Sequence, residues 1–225
     1  MAGKNRWKLE YSIALFVMIG VILLIMPFSI ENTRQANFIS KWNEKYNRVE
    51  YMFSVINAHI TDDMIKSMNK AKTPQEREAL LLAVVKPYLR INTENYPIKH
   101  YRPRYMNGTR VYRGQTYFFD DFYFAENNTL VGIKDIKSDK SSEVWFLMMF
   151  DINGILPPNR WGKDIFGVNI YDGGKIEPFG FDMDMDALKK DCSDDGTGVS
   201  CSYYYKIGGG FDESYKTGLC VCIFL

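Results

Sequence analysis

Histidine is nearly absent from this chain, with two among 225 residues, and cysteine is scarce, with four. The cysteines lack the Cys-x2-Cys knuckle of a zinc ribbon, and neither His59 nor His100 stands near a Ser or Cys in a recognisable nucleophile motif. An excess of one charge is also missing. Lys and Arg number 28 against 27 Asp and Glu, a net charge of +1. A global basic surface for reading phosphates is therefore excluded, and no nucleic-acid partner is expected. No internal repeat and no low-complexity tract interrupts the chain. With 46% apolar and 15% aromatic residues, it has enough material for a packed core, so wholesale disorder is excluded too. The length allows one or two compact domains. No acid/base pair or nucleophile elbow stands out, so no enzymatic activity and no catalytic residue is expected.

What the chain does have is one long apolar run. Ile13–Ile30 contains no charge, and as a helix it would span about 27 Å, close to a hydrocarbon core about 30 Å thick. Lys4, Arg6 and Lys8 precede it, and Glu31 and Arg34 follow. The positive-inside rule then predicts a cytoplasmic N-terminus over 1–12, a transmembrane helix over 13–30 and an extracytoplasmic domain over 31–225. On this reading the chain is a single-pass inner (plasma) membrane protein, with the lipid bilayer as a partner and its C-terminal domain periplasmic or extracellular. A cleaved signal would have a shorter core and an A-x-A-like site, and Met26-Pro27-Phe28-Ser29-Ile30 offers none.

Beyond Pro27, apolar residues fall at Phe38, Trp42, Tyr46, Val49, Phe53, Ile56 and Ile60, in the steps of three and four of a helix. One long helix is expected, with Pro27 kinking rather than ending it. Thr73-Pro74-Gln75-Glu76 predicts a second helix start with a capping box, and Leu80, Leu81, Val84, Val85 and Tyr88 form its buried side. From about Arg110 short β-branched and aromatic runs take over: Val111-Tyr112, Thr116–Phe119, Phe122–Phe124, Leu130–Ile133 and Val144–Phe150. Asp172-Gly173-Gly174 reads as a hairpin turn between Asp164–Tyr171 and Lys175–Pro178. Helices first and strands later predict an α+β fold, a long N-terminal transmembrane-plus-amphipathic helix packed on a small antiparallel sheet.

The most distinctive local stretch runs from Asp151 to Phe166, DINGILPPNRWGKDIF. It reads as a strand end, a turn and a strand start, with Asp and Asn closing turns on the backbone and Gly154 and Gly162 free to take positive φ. The alternative is a calcium loop using Asp151, Asn153, Asn159 and Asp164 as hard oxygen donors. Against that, Ile155 stands at the fifth position and no Glu at the twelfth of the EF-hand pattern. No other cofactor is expected. Asp182, Asp184 and Asp186 precede a short helix signal at Ala187–Lys190, where an Asp suits the N-cap. Cys192 and Cys201 bracket a small loop and are expected to form a disulfide, whereas the pairing of Cys220 and Cys222 stays open. Lys99, His100, Arg102, Arg104 and Arg110 with Tyr101, Tyr105 and Tyr112 make a basic-aromatic patch suited to an anionic polymer, to lipid headgroups or to plain solvation.

Two stretches resemble type IV pilin and pseudopilin (prepilin-type) proteins. Trp7-Lys8-Leu9-Glu10, the apolar run, Gly20 and Pro27 are similar to the pilin N-terminus. Asp151-Ile152-Asn153-Gly154, Pro158-Asn159, Gly162 and Asp164-x-Phe166, followed by the Cys192–Cys201 loop, resemble a stretch of bacterial prepilin-like proteins. Arg6 stands where precursors carry the Gly at which the prepilin peptidase cuts, and Glu10 lies one residue nearer Trp7 than the family pattern places it. The resemblance implies a pilin-like fold and a non-enzymatic structural component of a bacterial envelope filament, in a type II secretion or type IV pilus system. Its partners would be other pilin-like subunits or further copies of itself, and Glu10 would pair with a neighbouring subunit's N-terminal amine to set the stagger. The competing reading is a membrane-anchored receptor whose extracytoplasmic domain captures a ligand, for example through Tyr203-Tyr204-Tyr205.

Overall fold

A computed structural model describes residues 3–59, 67–92, 98, 100–136 and 143–210, without the side chains of 3–9, 27–29, 31 and 59. The chain divides into two units, Met1–Ser40 and Lys41–Leu225. Helix α1 (Gly3–His59) passes through Pro27 without ending.

In the first unit every described large apolar side chain from Ile13 to Met26 is exposed, Phe16 by 75% and Leu24 by 80%. Among the described residues, no helix is long and apolar enough to cross a membrane. This overturns the transmembrane helix expected over 13–30. The same finding corrects the single-pass inner-membrane placement with a cytoplasmic N-terminus.

The second unit is α+β, built around a five-stranded antiparallel meander in sequence order. Its strands are β1 (Phe122–Phe124), β2 (Leu130–Asp135), β3 (Val144–Asp151), β4 (Ile165–Tyr171) and β5 (Ile176–Pro178). Helix α2 (Pro74–Leu89) begins as its sequence dictates. The Thr73 hydroxyl accepts from the Glu76 amide at 3.2 Å, the Glu76 carboxylate accepts from the Thr73 amide, and Pro74 sits at the first helical position. Its buried face is Leu81, Val85 and Leu89, spaced at four, whereas Tyr88 is exposed.

Every β3 residue after Val144 is buried, because both faces of the sheet are covered. On one face Phe146, Met148 and Phe150 pair with Ile170, Val168 and Phe166 of β4. The amphipathic residues Trp42, Tyr46, Val49, Phe53 and Ile56 are all buried. Trp42 stacks on Phe166 with ring centroids 5.1 Å apart, touches Phe150, and donates its indole N–H to the Ser202 carbonyl at 2.9 Å. On the other face Leu147 and Met149 join Leu130, Phe119, Phe122, Trp161 and Phe179 in a second core. Gly167, opposite Met149, lacks a side chain on that face because a Cβ would overlap the Phe179 ring.

Val111-Tyr112 and Thr116–Phe119 are not strands. The Gln115 side chain accepts from the Tyr112 amide at 2.7 Å, its own amide donates to the Tyr112 carbonyl, and Phe118 closes a further turn on Gln115. The segment curls, yet Val111 and Phe119 still reach the second core. Asp172-Gly173-Gly174 does turn the chain between β4 and β5, with Gly173 and Gly174 at φ 77° and 76°.

Candidate functional site

The turn joining β3 to β4 brings together all four candidate oxygen donors. Asp151 ends β3 and is paired with Ile165, so its carboxyl lies at the base of the turn and is fully buried. One of its oxygens accepts from the Asn153 amide at 3.2 Å, and the other accepts from the Tyr101 hydroxyl. Asp164, also fully buried, closes the far side. Its two oxygens accept from the Asn159 amide at 2.9 Å and the Arg160 amide at 2.7 Å. The side-chain amides of Asn153 and Asn159 donate inward to the carbonyls of Leu156, Pro157 and Ile155. Gly154 takes φ 73°, and a Cβ there would overlap the Asn128 carbonyl, so this tight approach requires glycine.

Burial pushes the Asp151 carboxyl well above its ordinary range. The charge of Asp164 adds to that, while hydrogen bonds from Tyr101, Asn153 and Gly154 oppose it. Tyr101 is raised as well, first by burial and then by Asp151.

Calcium takes about six to eight oxygen ligands. Here all four carboxylate oxygens already accept from N–H or O–H donors. The unpartnered buried acceptors of the turn are the two amide oxygens of Asn153 and Asn159. Among the described residues no group of three or more His, Cys, Asp or Glu side chains could hold a metal ion. The residues as folded do not offer calcium its shell, and the geometry is that of a turn braced by its own carboxylates.

A second braced loop follows. Cys192 and Cys201 are joined in a disulfide, with Cα atoms 5.4 Å apart. Asp191, the last residue of α3 (Met185–Asp191), binds the enclosed loop from below. One oxygen accepts from the Thr197 amide and hydroxyl at 2.8 and 2.6 Å, the other from the Ser200 amide and hydroxyl at 2.9 and 2.7 Å. Partial burial would raise its pKa, but those four hydrogen bonds hold it below the ordinary value. Asp184 caps α3 through the Ala187 amide, as its position implied. Cys220 and Cys222 lie outside the described residues.

Tyr203-Tyr204-Tyr205 does not form a ligand surface. It lies in α4 (Cys201–Lys206) with Tyr204 and Tyr205 buried, the latter edge-on to Phe166. The basic-aromatic patch is split. His100, Arg102, Arg104 and Arg110 are exposed, but Tyr101 belongs to the core and Lys99 lies outside the described residues. Arg160, a residue of the β3–β4 turn, joins this patch through a backbone bridge to Arg104. Only knowledge of that non-local pairing could have added it. Glu10 is exposed at the start of the described apolar side chains of α1. A cavity of about 100 Å³ is lined by Phe53, Ile56, Leu81, Phe146 and Ile170 among others, and it offers no catalytic grouping. Compared with known protein families, curated proteins and solved structures, the chain matches none of them.

Proposed function

We propose that the chain is a non-enzymatic, pilin-like structural subunit of a bacterial envelope filament, assembling with copies of itself or with similar subunits through the N-terminal half of α1. The observation that carries this reading is the exposure of every described large apolar side chain from Ile13 to Met26, all around the helix. Burying one Leu, Ile or Phe side chain is worth about 1.5–3 kcal/mol, and a helix apolar on all sides calls for cover on all sides. Equivalent helices of neighbouring subunits supply such cover without any chemistry. The order of elements also supports it: a long helix, a second helix, an antiparallel meander and a cysteine-bounded loop. Glu10, exposed next to the apolar stretch, would on this reading pair with a neighbour's terminal amine.

Analytical ultracentrifugation and negative-stain microscopy of the full chain test this. Assemblies are expected for the native sequence, with dissociation on Phe16→Glu plus Leu24→Lys and a weaker loss of order on Glu10→Gln. A monodisperse monomer of the native chain at tens of micromolar would refute the reading.

A further inference from the structure

The second unit carries a group of cations that its own described acids do not answer. Arg104 pairs with Arg110 in an antiparallel bridge and with Arg160 in a parallel one. The parallel bridge is held by the Arg104 amide on the Asn159 carbonyl at 3.0 Å and the Trp161 amide on the Arg104 carbonyl at 2.9 Å. Bridge partners send their side chains to the same side of the backbone at a spacing of about 5 Å. Three arginines therefore rise from one row, although they are up to 56 residues apart in the chain.

Two of the guanidinium groups are anchored over a single turn. Arg104 donates to the Gly108 carbonyl at 3.1 Å, and Arg160 to the Met106 carbonyl at 3.4 Å. Gly108 takes φ 84° in that turn, and the Arg160 guanidinium lies against it, with a terminal nitrogen 3.7 Å from where a Cβ would stand. Four other arginines of this unit find carboxylates: Arg48 and Arg90 share Glu126, Arg77 meets Asp135, and Arg113 meets Asp120. Among the described residues, none of the three row arginines makes such a pair. Like charges side by side on a row repel, and each guanidinium has five N–H donors, of which at most one is in use among the described residues.

We propose that Arg104, Arg110 and Arg160 form an oxyanion site for a ligand bearing phosphate or sulfate groups. A carboxylate has two oxygens and matches one guanidinium fork. A tetrahedral oxyanion with three or more oxygens can take forks from two arginines at once, and a polymer of such groups would engage the third arginine of the row as well. The site is independent of the assembly reading, because it uses neither α1 nor a second copy.

The test is binding of inorganic phosphate and of labelled long-chain polyphosphate to the full chain, by calorimetry and fluorescence anisotropy at low and moderate salt. Three variants accompany it: Arg104→Gln/Arg110→Gln/Arg160→Gln, Arg110→Gln alone, and Lys70→Gln/Lys72→Gln/Lys86→Gln, which removes the same charge elsewhere. The Arg110 side chain makes no hydrogen bond among the described residues, so its single variant keeps the structure. The triple arginine variant should bind polyphosphate about tenfold more weakly or worse, Arg110→Gln should fall between, and the lysine control should stay within about twofold. Binding of both probes, or of inorganic phosphate alone, identifies a site sufficient for one free anion. Binding of polyphosphate alone identifies a polymer as the source. Absence of binding, or an equal loss in the lysine control, overturns the proposal. So does an arginine variant that changes sedimentation while anion binding is unaltered, since the row would then meet carboxylates of a second copy.

Discussion

Replacing Asp151 by asparagine should flatten one part of this protein's response to pH. In the folded state burial and the neighbouring Asp164 raise the Asp151 carboxyl well above its ordinary 3.8. A carboxyl raised by folding holds its proton more tightly in the native state than in the unfolded chain. Its contribution to stability is therefore complete below about pH 3.8 and is lost as pH rises through the folded pKa. Over that window one proton difference corresponds to a slope of about 1.4 kcal/mol per pH unit, with stability falling as pH rises. The amide introduced by Asp151→Asn would have no proton to lose. Its carbonyl can still accept from the Asn153 amide, while its NH2 meets a Tyr101 hydroxyl that must turn to accept, a rearrangement costing about 1 kcal/mol. The variant should thus be slightly less stable than the native protein near pH 4 and should gain on it steadily towards neutrality. Urea denaturation followed by tryptophan fluorescence at half-unit steps from pH 4 to 8 measures the difference, and the subtraction cancels the other titrating groups. A difference that stays constant across that range would refute the reasoning. So would one in which the native protein gains on the variant as pH rises.

Trp42→Ala removes the ring stacked on Phe166 and the indole bond to Ser202, and should cost about 3–5 kcal/mol in the same denaturation assay. Cys192→Ser with Cys201→Ser opens a crosslink between residues nine apart; a loop of that size is worth about 2–3 kcal/mol. The Thr197 and Ser200 bonds to Asp191 should keep that loop in place, so amide exchange in 193–200 should rise only modestly.

The elements legible from sequence are those whose cause is local. The Thr73-Pro74-Gln75-Glu76 cap needs only its own four residues, and it formed as read. The spacing of Trp42, Tyr46, Val49, Phe53 and Ile56 needs only helical period and a sheet to lie on, and all five are buried. Asp172-Gly173-Gly174 turned the chain because glycine takes those backbone angles without the steric cost of a Cβ. Segment 111–119 misled for the opposite reason. Its aromatic and β-branched composition is that of a strand, but it supplies the second core from a run of turns held by Gln115. Composition there reported burial and not hydrogen bonding. Tyr203-Tyr204-Tyr205 looked like a contact surface, yet Cys201 and the underside of β4 draw two of the three rings inward.

The β3–β4 turn marks the boundary between those cases most sharply. Its spacing of Asp, Asn and Gly is compatible with a cation and with a braced turn, because either needs inward oxygens and positive φ. What separates them is the identity of the groups that reach those oxygens. Two of the donors, the Asn159 and Arg160 amides, come from the turn itself, within five residues of Asp164. The Tyr101 hydroxyl comes from 50 residues away and occupies the remaining oxygen of the Asp151 carboxyl. With that phenol in place, both Asp151 oxygens accept from donors of the protein itself, and burial beside Asp164 raises the carboxyl's affinity for a proton. The arginine row has the same origin, since its third member also arrives from a distant segment. In both places the local pattern was visible in the sequence, and the chemistry was decided by one side chain that only the fold brings in.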